Sequence, residues 1–249
     1  MNKIERYSLH SGLKISEPFV NDCFFPIVHE KYICFSVEAD IESKKYDYWQ
    51  EVINLIYEPL LSKDIKIIQI GCEKSKVIDK VYSSRGLANF NQKSYIIKKS
   101  LLYFGADGHR VHLSSFHNKP FVSLYSHESS DCAKPYWPSN SDCALIDSPK
   151  EEGKTASLNL SENPKSINKI SPFEIAENIL NLLNIENDLK DCSLVHVGEN
   201  FHIPTVEIVP DFEPSPNFLS NSLVNVRMDL SHNETIYFYC LEVASWELL

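Results

Sequence analysis

Short, continuous apolar runs alternate with longer stretches of helical periodicity through most of the chain. Tyr32-Ile33-Cys34-Phe35-Ser36-Val37 is the first such run, rich in β-formers, and predicts a buried strand. From Tyr46 to Leu61 the apolar positions Trp49, Val52, Ile53, Ile56, Tyr57, Leu60 and Leu61 follow the i, i+3, i+4, i+7 spacing of an amphipathic helix. Ile65 to Ile70 is a second strand stopped by Gly71. A helix from about Gln92 to Ser100 leads into a third strand, Leu101 to Phe104, followed by Gly105. Val111 to His117 suits a short helix, Phe121 to Tyr125 a fourth strand and Cys143 to Ile146 a fifth. Ser171 at N-cap, Pro172 at N1 and Glu174 at N3 read as a capping box opening a helix that runs to Leu183. Strands buried on both faces and alternating with helices predict an α/β fold with a doubly wound parallel sheet.

The flanks read differently. Residues 1–30 look like an irregular arm containing Pro18 and Pro26. Ser126 to Ile170 is a long polar stretch, of a length that in a compact domain is usually functional or disordered. Part of it is expected to lie over a ligand site, anchored by Pro135-Tyr136-Trp137-Pro138. Beyond residue 190, Cys192–Val197, Thr205–Val209 and Val224–Asp229 read as strands. Ser231-His232-Asn233-Glu234 suggests a second capping box and a helix from Thr235 to Trp246, whereas Tyr237-Phe238-Tyr239 favours a strand there. The expected organisation is an arm (1–30), an α/β domain (31–187) and a C-terminal extension (188–249) like the start of a second, truncated α/β domain.

Composition narrows the function classes. A net charge of −10 and a pI near 5.4 argue against a nucleic-acid partner, which needs a basic face. A nucleotide ligand remains compatible, because a helix N-terminus and a few local cations suffice. Seven scattered cysteines without a C-x-x-C pair point to reduced thiols and a cytoplasmic protein, not to a disulfide scaffold or structural zinc site. No run approaches the roughly 18 apolar residues of a membrane span.

The chemistry concentrates in Gly105-Ala106-Asp107-Gly108-His109, between a strand and a short helix. In open α/β sheets ligands bind beyond the carboxyl ends of strands, where backbone N–H groups and the helix dipole accept phosphate oxygens. Gly108 would let the backbone approach a diphosphate, Asp107 could accept from sugar hydroxyls, and His109 or Arg110 could offset phosphate charge. The plainer alternative is a tight turn in which Asp107 caps the next helix. His109, His112 and His117 near Asp107 raise the thought of a metal, but without a second-shell pattern none is expected.

The run Leu102-Tyr103-Phe104-Gly105-Ala106-Asp107-Gly108-His109-Arg110-Val111-His112, followed by Lys119-Pro120-Phe121-Val122, resembles the signature of the family 9 glycosyltransferases of the heptosyltransferase type. The strand ending at Gly71 and the helix opened by Ser171-Pro172 fall in matching places. The resemblance covers about residues 30–185 and implies the Rossmann-like, donor-binding half of a GT-B architecture. It implies that Asp107 contacts the donor sugar, that the Gly108-His109 backbone holds the diphosphate and that His112 supports the loop. Lys44 or Lys45 is the implied phosphate-binding lysine, and Glu73 lies where a ribose or sugar contact fits. Gly108 stands where the family has Ser or Thr, and His109 where it has Gly. The family's general base comes from an acceptor domain for which residues 1–30 are too short, so a partner domain or second chain is expected to supply the acceptor site.

Three functions follow from the resemblance. The first is transfer of a heptosyl-type sugar from an ADP- or UDP-linked donor to a glycan or lipid-linked acceptor, as in lipopolysaccharide biosynthesis, with no separate cofactor. The second is a non-catalytic binding or structural module derived from such an enzyme. The third is a GT-B nucleotide-sugar epimerase. The catalytic residues stay unassigned.

Overall fold

The computed structural model describes residues 1–137, 142–149, 158–187, 189, 205–219 and 223–245. The chain divides into two units, Met1–Cys192 and Ser193–Leu249.

The first unit opens with α1 (Lys3–Ser11), capped by a reciprocal box between Asn2 and Glu5 and closed by Gly12 in the left-handed region. A helix therefore occupies part of the arm read from sequence as irregular. Its apolar residues are too few to form a buried face, so only the cap marks it in the sequence. Then follow β1 (Tyr32–Ser36), α2 (Trp49–Ser62), β2 (Lys66–Gln69), β3 (Tyr82–Ser83), α3 (Phe90–Lys99), β4 (Tyr103–Ala106), α4 (His109–Phe116), β5 (Phe121–Tyr125), α5 (Ser130–Ala133), β6 (Cys143–Asp147) and α6 (Pro172–Leu182). All six strands are parallel, in the order β3-β2-β1-β4-β5-β6.

Period-two alternation explains the two-sided burial. Ile33, Phe35, Phe104, Ala106, Val122 and Leu124 join one core cluster with residues of α2 and α6. Tyr32, Cys34, Ile68, Tyr103 and Phe121 face the other cluster with residues of α3 and α4. On the first face Phe35 and Phe104 stack with centroids 4.9 Å apart, and Trp49 packs against both. Burying each such side chain contributes about 1.5–3 kcal/mol.

Four details differ from the expectation. The edge strand β3 comes from Val81-Tyr82-Ser83-Ser84, too short and polar to show periodicity. β4 runs through Gly105 instead of stopping before it. A Cβ there would lie 2.5 Å from the Tyr103 hydroxyl oxygen and 3.3 Å from the Ser36 carbonyl oxygen, so the glycine is in the strand to make room. Ser171 caps α6 without a recorded return bond from Glu174; its hydroxyl accepts from the Phe173 N–H at 3.2 Å. α3 is opened by a box between Asn89 and Gln92, two residues before the expected start.

In the second unit β7 (Thr205–Ile208), α7 (Pro216–Leu219), β8 (Leu223–Val226) and α8 (Glu234–Ser245) form a two-stranded parallel sheet with helices. Among the described residues its core is Ile208, Leu219 and Cys240, flanked by Val206, Val224, Val226, Ile236 and Tyr239. Tyr237-Phe238-Tyr239 is helical, and the cap is Asn233, not Ser231: its side chain accepts from the Ile236 N–H at 3.3 Å. The strand expected at Cys192–Val197 lies outside the described residues.

Candidate functional site

From β1 the chain winds outward through β2 to β3, then crosses back to lay β4 on the other side of β1. The connections after β1 and β4 therefore leave the sheet in opposite directions, the arrangement at which open α/β sheets form a ligand crevice beyond the strands' carboxyl ends. The segment after β1 holds Glu38 and the 3-10 turn Glu42–Lys44; the segment after β4 is Asp107-Gly108, leading into α4.

Two ion pairs join these segments. Lys44 Nζ donates to Asp107 Oδ2 at 2.6 Å, with the side chains only 11% and 7% exposed. Such a pair adds little net stability, since desolvation offsets the attraction, but removing one partner leaves a buried charge alone. Its effect is to lock the turn after β1 to the loop after β4. The turn is held from below as well, because Ser126 Oγ donates to the Ser43 carbonyl at 3.0 Å. The second pair joins Arg110, on the first turn of α4, to Glu38. The same carboxylate accepts from the Cys72 N–H and, at 2.6 Å, from Ser75 Oγ, tying in the loop after β2. Burial works to raise the Glu38 pKa; the hydrogen bonds of Cys72 and Ser75 and the Arg110 charge outweigh it and bring it down to about 2.

The loop residues fall into distinct roles. Asp107 caps nothing: α4 has Gly108 at N-cap and no side-chain cap. A Cβ on Gly108 would meet no atom nearer than 4.0 Å, so the space beside the helix N-terminus is open. His109 and His112 both reach solvent from the first turn. Desolvation, then the Arg110 charge, lowers the His109 pKa; desolvation, partly opposed by Asp107, lowers that of His112. Both shifts favour the neutral imidazole.

Of the other candidates, Lys45 turns to the surface and pairs with Glu42 at 2.5 Å. Glu73 is exposed in the loop after β2, its carbonyl accepting from Arg85 Nη1 at 3.1 Å. The fold thus brings together Lys44, Asp107, Gly108, His109 and His112 but not Lys45. Two contributors were missed in the sequence: Glu38, which pairs with the Arg110 already named there, and Lys3, whose charge acts on His112 from α1. For Glu38 a signal existed, since it lies two residues beyond the end of the first strand, where ligand crevices of open α/β sheets form. Leu158 to Leu160, within the long polar stretch, borders the Lys44 turn: the Ser43 N–H donates to the Leu160 carbonyl at 3.2 Å. Trp137 is tied to α4 through Ser115 Oγ at 2.7 Å, whereas Pro138 lies outside the described residues. Among the described residues no group of three or more His, Cys, Asp or Glu is arranged to hold a metal, and no helix is long and apolar enough to cross a membrane.

No protein-family model and no curated protein matches the sequence. Solved structures do match. The bacterial iron-containing dodecameric glycosyltransferase TibC from enterotoxigenic E. coli H10407 superposes with a TM-score of 0.51 at 12% identity, over 68% of this chain and 49% of that one. The E. coli ADP-heptose LPS heptosyltransferase II gives 0.47 at 17% identity, over 64% and 48%. A family 9 glycosyl transferase from Veillonella parvula gives 0.47 at 14%, over 62% and 46%. The chain spans about half the length of the structures it matches. At 12% identity the likeness to TibC bears on the α/β fold alone.

Proposed function

We propose that the chain binds a nucleoside-diphosphate sugar in the crevice between β1 and β4, and that it serves transfer of a heptosyl-type sugar to a glycan or lipopolysaccharide acceptor. The observation that carries this reading is the Lys44–Asp107 pair at 2.6 Å, set beside the open Gly108 and the uncapped start of α4. In this reading the α4 N–H groups and Lys44 meet the diphosphate, while Asp107 accepts from sugar hydroxyls once the ligand shares its lysine. The neutral His109 and His112 add hydrogen bonds at the rim. The general base comes from elsewhere, in a partner domain or chain that brings the acceptor.

A second reading, a binding module without chemistry, is favoured by one observation: both cations in the crevice are already neutralised by the chain's own carboxylates. Isothermal titration with ADP- and UDP-sugars, followed by product analysis with a glycan acceptor, separates the two. Donor binding with turnover supports the transferase. Binding without turnover by the full-length protein with its acceptor supports the module. Absence of heat with every donor at millimolar concentration overturns both.

A further inference from the structure

Glu38 occupies a built anion site. Its Oε1 accepts from the Cys72 N–H and from Ser75 Oγ, and its Oε2 faces Arg110 Nη2, so three donors from one loop and a helix converge on one carboxylate. The loop that supplies two of them is itself braced, since Arg85 Nη1 donates to the carbonyls of both Glu73 and Ser75. Gly71 leaves the room that the carboxylate fills: a Cβ there would lie 3.3 Å from Glu38 Cδ and Oε1, and 2.7 Å from Ser75 Oγ. Arg110 is only 9% exposed, and its Nε has no hydrogen-bond partner, so its donor capacity is incompletely used. The Glu38 side chain is 20% exposed against 11% for that of Arg110, so of the two charges the carboxylate is the one nearer solvent and able to leave.

This donor set does not distinguish a carboxylate from a phosphoryl group. A backbone N–H, a hydroxyl and a guanidinium serve either anion. Arg110 lies two residues beyond Gly108, whose side-chain space is open, on the first turn of the same helix.

We propose that Glu38 is a resident stand-in for ligand phosphate, held by Cys72, Ser75 and Arg110 until a nucleoside diphosphate displaces it. The proposal rests on the donor-binding reading above and adds its regulation: the site is self-blocked, and affinity is set by competition with an internal anion. A binding-competent state that is only a minor fraction of the population lowers apparent affinity by that fraction. Removing the competing charge therefore tightens binding, where removal of an ordinary structural partner of Arg110 would weaken it.

The test is Glu38→Gln, which keeps the size and the acceptor for Cys72 and Ser75 but not the charge. ADP and inorganic pyrophosphate are titrated calorimetrically into the wild type, E38Q and the double variant E38Q/R110Q. ADP is expected to bind E38Q roughly tenfold tighter than wild type, and R110Q is expected to cancel the gain. If wild type binds ADP and E38Q binds it no tighter, the stand-in role is overturned while donor binding stands. If neither binds ADP, donor binding fails and displacement of Glu38 by a nucleoside diphosphate is overturned with it, even where E38Q alone takes up pyrophosphate. If no protein binds either anion, both fall. Where E38Q does not fold, Glu38→Asp replaces it: the carboxylate is drawn back by one methylene, and a smaller rise of about threefold is expected, with no rise overturning the proposal.

Discussion

Residues 1–192 and 193–249 use the same local grammar, a parallel strand followed by a crossover and another parallel strand, with very different results. The first unit repeats it to six strands, covers both faces and reverses its winding between β1 and β4. The second, among its described residues, has two strands and a core of three buried side chains. Two strands joined by one crossover wind in a single direction, so no reversal point arises and no crevice collects loops from opposite sides. The comparison teaches that the candidate site belongs to the change of winding direction. A strand-turn-helix sequence alone does not produce it.

The largest test of that contrast is separation. Residues 1–192 expressed alone are expected to keep helical and sheet circular dichroism and a cooperative melt, whereas the isolated 193–249 segment is expected to be unfolded, because so small a core does not offset chain entropy. A folded 193–249 segment would break the comparison. Next in size is Trp49→Ala: the ring is 2% exposed and packs on Phe35, Tyr46 and Phe104, so a loss of about 3–5 kcal/mol is expected by chemical denaturation.

The crevice offers a sharper contrast between two neighbouring lysines. Asp107→Asn strands the buried Lys44 charge and is expected to cost about 3 kcal/mol. Lys45→Ala, on the exposed pair with Glu42, is expected to change stability by less than about 0.5 kcal/mol and to leave donor titration unaltered. Equal effects would show that the Lys44–Asp107 pair is not the buried lock described above.

Acid tests the other ion pair of the crevice. The Glu38 pKa is lowered from 4.5 to about 2, so its contribution to stability is full above pH 4.5 and is lost as the pH falls from there toward 2. Denaturation midpoints measured through that window should fall less steeply for E38Q than for wild type; parallel curves would detach Glu38 from the Arg110 pair.

Much of the frame was legible in the chain itself. Phe35, Phe104 and Val122 sit in continuous β-forming runs, and Trp49 to Leu60 repeat at helical spacing, so local sterics and burial specify their states whatever lies nearby. Gly108 and Asp107 were recognisable as a loop between strand and helix. Residues with no local pattern escaped: Tyr82-Ser83 form a strand only because Ile68 and Gln69 offer a free edge, and Asn233, not Ser231, caps α8.

By itself the sequence determined most of the strands and helices of the first unit, α1 and β3 excepted, and which loop carries the polar groups, because each of these depends on neighbours a few residues away. Only the tertiary structure decided that Lys44 belongs with Asp107 and Lys45 does not, and that Glu38 meets Arg110 across 72 positions. Those pairings depend on strand order and on the direction of each crossover, which no short-range periodicity encodes.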